Sequence, residues 1–274
     1  MIKDEVFLGT REEYKDKLAY LARKATPEPW SFGASKETDA YRILRNYFEY
    51  TYNRLSEEGK IIESEDGQYR CMNTGLLTKY NQEILAIFKR TRGGLPWSFI
   101  SIAIESDKQF TTNFSTIPRI ANYAEKPEDL IFDQRLEVIM RKEHIIDDNY
   151  DRFCAVGYDN KELISHLLDS AKQTLVKKLE RNFKLALPFY YHNTKTGERK
   201  IQLLAPVYFP GSPVRLAFVL NKMNPSDGGM AYYEAVTVLP VEWAYMNARL
   251  IVRPDDEWAK IVDESERSDN LKIM

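Results

Sequence analysis

The chain has 274 residues, 43% of them hydrophobic and 29% charged, with a formal net charge of −2. That balance excludes a disordered polymer, and it leaves nucleic acid to be bound only through a local basic patch. A chain of this length buries a sizeable core in one or two domains. The two cysteines, Cys71 and Cys154, form no CxxC pair, which argues against a zinc finger, a redox motif or a disulfide scaffold. The first residues lack the basic-then-apolar run of a signal peptide, and no apolar run approaches the ~20 residues of a membrane span. The expectation is a cytoplasmic protein with no membrane partner.

In chain order, Thr10 to Ala25 predicts a first helix, with Thr10 and Glu13 at capping-box spacing and Tyr14, Leu18, Leu21 and Ala25 on one stripe. Trp30 and Phe32 follow in a loop and are expected to plug into a core. A second helix is predicted from about Lys36 to Glu58, with Tyr41, Leu44, Phe48 and Leu55 on one face and Gly59 as its C-cap. Two short strands around Asp66-Gly67 then read as a hairpin, and helix plus hairpin resembles a winged-helix arrangement. Asn73-Thr74-Gly75-Leu76 is expected to lead into a helix over Lys79 to Arg90, followed by a strand over Ser98 to Ile104 and a short helix over Ser115 to Ala124. Residues 125–151 hold nine carboxylates against four Lys or Arg and are read as irregular.

The clearest element is a helix over Asp159 to Lys184, where Ile164, Leu168, Ala171, Leu175 and Leu179 keep a helical period. Four strands are expected next, at Leu187–His192, Lys200–Val207, Val214–Lys222 and Ala231–Leu239, with turns at Thr196-Gly197 and Asp227-Gly228-Gly229. Their short connections imply antiparallel pairing. Pro240 to Val252 predicts a closing helix, and the acidic tail beyond it reads as exposed and partly mobile. The fold class is α+β: N-terminal helices with a winged-helix-like hairpin, then a mostly antiparallel sheet with one long helix and a closing short helix. The expected divisions are 1–94, 95–258 and a tail of 259–274, with 1–258 as one continuous domain left open.

Several stretches carry a family pattern together. They are Trp30, Ile43-Leu44-Arg45-Asn46-Tyr47, Glu58-Gly59-Lys60-Ile61, Asn73-Thr74-Gly75-Leu76, His144-Ile145-Ile146-Asp147-Asp148-Asn149 with Arg152-Phe153, Ile201-Gln202-Leu203-Leu204-Ala205-Pro206, and Ala244 to Ile251 with Arg253-Pro254-Asp255. In order and spacing, over roughly residues 20 to 258, this resembles the domain of unknown function 3825 family. The resemblance implies company with OST-HTH (LOTUS) RNA-binding domains and hence RNA-linked work. It implies no particular reaction.

Four constellations are candidate sites. Asn73, Thr74 and Gly75 would present backbone N–H groups and a hydroxyl to a phosphate, or else satisfy local backbone groups in a turn. Lys177, Lys178 and Arg181 at the long helix's end, with Lys195, Arg199 and Lys200 in the following hairpin, would track phosphates if they converge, with Phe189, Tyr190 and Tyr191 for stacking; the plainer account is a solvated helix face and an exposed loop. Tyr245, Asn247 and Arg249 would line a selective pocket, or else pin a loop and an ion pair. His144 with Asp147 and Asp148 would serve acid–base or metal chemistry, or else be a structural histidine among solvated acids. No GxxxxGK[ST], strand-linked GxGxxG, HExxH or GxSxG occurs. The leading expectation is an RNA- or nucleotide-binding protein. A metal-dependent nucleotide- or phosphodiester-processing enzyme and a protein-interaction scaffold stand as alternatives, and the sequence names no cofactor or metal.

Overall fold

The computed structural model describes residues 1–32, 38–193, 196–225 and 228–270. Lys36, Lys195 and Asp227, which the sequence reading places at a helix start, in the basic surface and in a turn, lie outside them. The chain divides into two compact units, one of Met1–Ser31 and Ser35–Asn122, the other of Phe32–Ala34 and Tyr123–Met274. The division falls beyond Gly94 because the strand after Gly94 is paired into the first unit's sheet.

In the first unit, a short α1 (Ile2–Glu5) and β1 (Val6–Phe7) precede α2 (Arg11–Lys24) and α3 (Arg42–Glu57). Four further strands follow: β2 (Ile62–Glu63), β3 (Tyr69–Leu77), β4 (Glu83–Arg90) and β5 (Trp97–Ile104), and then the short α4 (Lys108–Thr111). The sheet order is β1-β5-β4-β3-β2, antiparallel except for the β1–β5 pair. The capping box on α2 forms as expected, with Thr10 N–H donating to the Glu13 carboxylate at 2.7 Å and Glu13 N–H to Thr10 Oγ1 at 3.2 Å. Leu18, Leu21, Leu44, Phe48 and Leu55 are all buried, as their stripes predict, and so are Trp30 and Phe32. The Asp66-Gly67 hairpin also forms, with Gly67 at φ +65°. It is the edge of this five-stranded sheet.

Two predicted helices of this unit are absent. Residues 83–90 form strand β4, in which Ile84, Leu85, Ala86, Ile87 and Phe88 are all fully buried. One face of β4 meets the aromatic cluster of Tyr52, Phe88 and Phe99; the other joins Cys71, Ala103, Phe110 and Phe114. A strand covered on both faces reads as one apolar run, which periodicity does not separate from a helix. Residues 115–124 form no helix either, because side chains take up their backbone groups. Asn73 Nδ2 donates to Pro118 O at 3.1 Å, Lys60 Nζ to Ile120 O at 3.0 Å and Arg54 Nε to Asn122 O at 2.8 Å, while Asn122 N–H donates to the Glu58 carboxylate.

The second unit begins with a single 3-10 turn (Pro127–Leu130), β6 (Glu137–Met140), α5 (Lys142–Asp148) and α6 (Tyr150–Ala155), so the acidic stretch is more regular than expected. It continues with α7 (Lys161–Leu179), β7 (Leu187–His192), β8 (Arg199–Pro206), β9 (Leu216–Met223), β10 (Tyr232–Pro240), α8 (Val241–Ala248) and α9 (Asp256–Asn270). The sheet order is β6-β10-β9-β8-β7, antiparallel except for β6 beside β10. The cap of α7 is Asn160, which accepts from Leu163 N–H at 2.9 Å, rather than Asp159. All five residues of the α7 stripe are fully buried against the sheet.

The acidic tail is the largest departure from expectation. It forms α9, with Trp258 and Val262 fully buried and the Trp258 indole N–H donating to Leu185 O at 3.0 Å. Asp256, Glu257 and Glu264 lie on its exposed face, as the acids of an amphipathic helix should. Trp258→Ala is expected to cost about 3–5 kcal/mol of stability. Urea unfolding of the variant checks this, and a midpoint equal to the parent's would show the tail to be dispensable.

Candidate nucleic-acid interface

The β7–β8 hairpin sets out the basic and aromatic side chains by strand alternation. Leu203 and Ala205 of β8 enter the core beneath α7, so Lys200, Gln202 and Leu204 face the other side of the sheet. Their direct partners across the hairpin are Tyr191, Phe189 and Leu187, and directly opposed residues share a face. This face therefore carries Phe189 and Tyr191, with ring centroids 6.5 Å apart at 71°, and the Lys200 ammonium 5.5 Å from the Tyr191 ring. All three are half-buried, and β7 is an edge strand. Lys200 also pairs with Glu198 at 2.8 Å on the surface. Arg199, opposite His192, projects to the α7 side, as does Tyr190, whose ring meets Tyr123 edge-on at 5.3 Å.

The two basic groups do not converge. Lys178 Nζ lies 4.5 Å from the ring centroid of Tyr208, just past the end of β8, where Leu204 pairs with Leu187. Lys200 and Arg199 pair at the opposite end of β7, five residue steps or roughly 17 Å away. Lys177 and Lys178 are exposed on the last turn of α7 and Arg181 follows just past it; Arg181 donates to Lys177 O at 2.5 Å and approaches Glu180 at 3.6 Å. The sequence counted charges along a chain that the hairpin then splits between two ends.

Helix α8 packs against β7 through Val241, Ala244, Tyr245 and Ala248, an i, i+3, i+4, i+7 stripe. The Tyr245 ring is accordingly 1% exposed and meets Phe32 edge-on at 4.9 Å, which leaves it no open face for stacking. Asn247 Nδ2 donates to Trp243 O one turn back at 2.9 Å, and Arg249 is buried. The exposed aromatic of α8 is Trp243, which the sequence reading passed over although it lies off that stripe.

Asn73, Thr74 and Gly75 form a bulge inside β3, whose pairing with β4 slips between Asn73 and Leu77. Asn73 Oδ1 accepts from Gly75 N–H at 2.9 Å, and Thr74 Oγ1 donates to Ile84 O at 2.7 Å. The Tyr47 hydroxyl donates to Thr74 O at 2.8 Å. Gly75 has φ +72°, and a Cβ there would sit 2.8 Å from the Tyr47 hydroxyl. These bonds account for all three residues through local backbone satisfaction. Gly75→Ala is expected to cost about 1–3 kcal/mol, read from urea unfolding, since it adds both left-handed strain and a clash; a loss below 0.5 kcal/mol (about) would remove that account.

His144, Asp147 and Asp148 lie exposed on α5, and Asp147 pairs with Lys161 at 2.7 Å. No group of three or more metal-capable side chains occurs among the described residues. The buried residue of this segment is Asn149, which donates to Ile145 O at 2.9 Å and accepts from Arg152 Nη1 at 2.5 Å and Thr237 Oγ1 at 2.8 Å. Arg152 Nη1 also donates to Val238 O. Thr237 borders the bulge between Ala235 and Thr237 and Val238 follows it, so this network ties α5 and α6 to an irregular strand. Asn149→Ala should destabilise by about 1–3 kcal/mol while His144→Ala stays within about 0.5 kcal/mol of the parent, both read from urea unfolding; equal effects would contradict this division.

These features define an α+β protein of two units, each built on a five-stranded mostly antiparallel sheet, with an aromatic and basic edge hairpin on the second. The chain belongs to the family described as Domain of unknown function (DUF3825), whose model matches residues 21–258. No curated protein and no solved structure matches it. No helix among the described residues is long and apolar enough to cross a membrane.

Proposed function

We propose that the protein binds single-stranded RNA, or a nucleotide derived from it, on the β7–β8 hairpin. The observation that carries this reading is the trio of Phe189, Tyr191 and Lys200 on one face of an edge strand. Base stacking on an aromatic side chain contributes about 1–3 kcal/mol per base and tolerates any sequence, and a neighbouring ammonium adds phosphate attraction. The Glu198–Lys200 pair is an exposed contact of about 0–1 kcal/mol, weak enough for a phosphate to displace. The family's implied company with OST-HTH domains agrees with RNA as the ligand. The α7 cations lie at the other end of the hairpin and are left out of this site.

Fluorescence anisotropy with a labelled 12-nucleotide RNA tests the reading. Tyr191→Ala should weaken binding by roughly 5- to 150-fold, the factor that corresponds to 1–3 kcal/mol. Lys200→Ala should reduce the slope of log affinity against log salt by about 0.7, the share of one phosphate contact on a single strand. Salt-insensitive binding, or binding that both variants leave intact, would remove the hairpin as the site.

A further inference from the structure

The face of β7 and β8 that carries Phe189, Tyr191 and Lys200 holds one further polar residue, Gln202, directly opposite Phe189. A covered amide, with two donors and an acceptor, is expected to find partners inside the protein. Gln202 is 6% exposed, yet its side chain makes no hydrogen bond among the described residues. Asn221 follows the core residue Leu220 on β9 and so faces the same side, but it donates to Met223 Sδ at 3.1 Å instead. Neither amide atom of Gln202 is among the partnerless atoms sealed from solvent, so the amide tip is the part of the side chain that reaches the surface.

Strand pairing explains that opening. The β8–β9 ladder runs from the Pro206–Ala217 pair to the Leu203–Leu220 pair and stops there. The β7–β8 ladder continues past it, through Phe189–Gln202 and Tyr191–Lys200, to His192–Arg199. Gln202 is therefore held on one side by Phe189 and released on the other, with its stem packed and its amide free. A leucine would fill the same space and leave nothing unmatched, so the amide weakens the fold and has no partner within it.

We infer that Gln202 reads the base stacked beside it on Phe189, and that this base is adenine; the inference rests on the hairpin being the RNA site. The glutamine amide sets an acceptor beside a donor, and adenine sets out the complement, an amino donor beside a ring-nitrogen acceptor. Adenine does so on two edges, through N1 or through N7, whereas cytosine and uracil each offer one edge that an amide can match. A purine also covers more of the Phe189 ring than a pyrimidine does. Tyr191 and Lys200, the next pair on this face, lie about 7 Å further along the strand and hold the adjoining nucleotide by stacking and charge, without regard to its base.

Fluorescence anisotropy of the full chain with labelled 12-nucleotide adenylate, uridylate and cytidylate RNAs tests this. The parent should bind the adenylate about tenfold more tightly than either pyrimidine strand. Gln202→Leu should remove that preference, bringing the adenylate down to the level of the uridylate while uridylate binding stays within about twofold of the parent. Its melting temperature should be no lower than the parent's, because the amide makes no bond in the free protein; a fall would assign Gln202 a structural role and overturn the inference. A preference for a pyrimidine strand, or an adenylate preference that survives Gln202→Leu, would also overturn it. In those cases loss of binding in Tyr191→Ala would still uphold the hairpin as the RNA site. No binding of any of the three strands would remove the hairpin reading and this inference together.

Discussion

Both sheets are covered on both faces, and this constraint governs where every other side chain can go. Strand β4 buries five consecutive residues from Ile84 to Phe88, and β9 does the same from Leu216 to Leu220. A central strand sealed twice over has no room for an unpaired polar group, since burying one without a partner costs about 1–3 kcal/mol in proteins. Polar and charged side chains are therefore driven to strand ends, edge strands and helix rims. The Phe189–Tyr191–Lys200 trio stands on such an edge.

The same constraint explains the buried polar residues that remain. Asn149 and Arg152 are spent beside the bulge of β10, where Asn149 accepts from the Thr237 hydroxyl and Arg152 donates to Val238 O. Asn73 and Thr74 do the same work at the bulge of β3. Residues that look like chemistry in a one-dimensional string thus repair irregular strands. Beside the β10 bulge, the buried Asn149 stands next to the exposed His144, Asp147 and Asp148 in the chain but does not join them in a site.

Much of the fold was legible. The stripes of α2, α3 and α7, the Asp66-Gly67 turn, the hairpin strands β7 to β10 and the closing helix all follow from period, caps and turn residues. Of the candidate sites, the aromatic and basic character of the β7–β8 hairpin was visible as Phe189, Tyr191 and Lys200. Its separation from Lys177, Lys178 and Arg181 was not, because net charge over a segment carries no information about which end of a hairpin each residue occupies. Tyr245 was offered as a stacking ring although its own stripe with Val241, Ala244 and Ala248 foretold burial.

What the sequence by itself determined is local: helical periods, capping boxes, turns that need a left-handed residue, and family membership through spaced motifs. These rest on interactions within a few residues, which a linear pattern records. Tertiary structure alone decided that residues 83–90 are a strand, that 115–124 stay extended and that the acidic tail is a packed helix. Each outcome depends on partners distant along the chain: Phe99 and Phe110 for β4, Arg54, Lys60 and Asn73 for the extended segment, and Leu185 for Trp258. Such contacts override local preference because buried area and satisfied backbone groups outweigh the fractions of a kcal/mol by which intrinsic propensities differ.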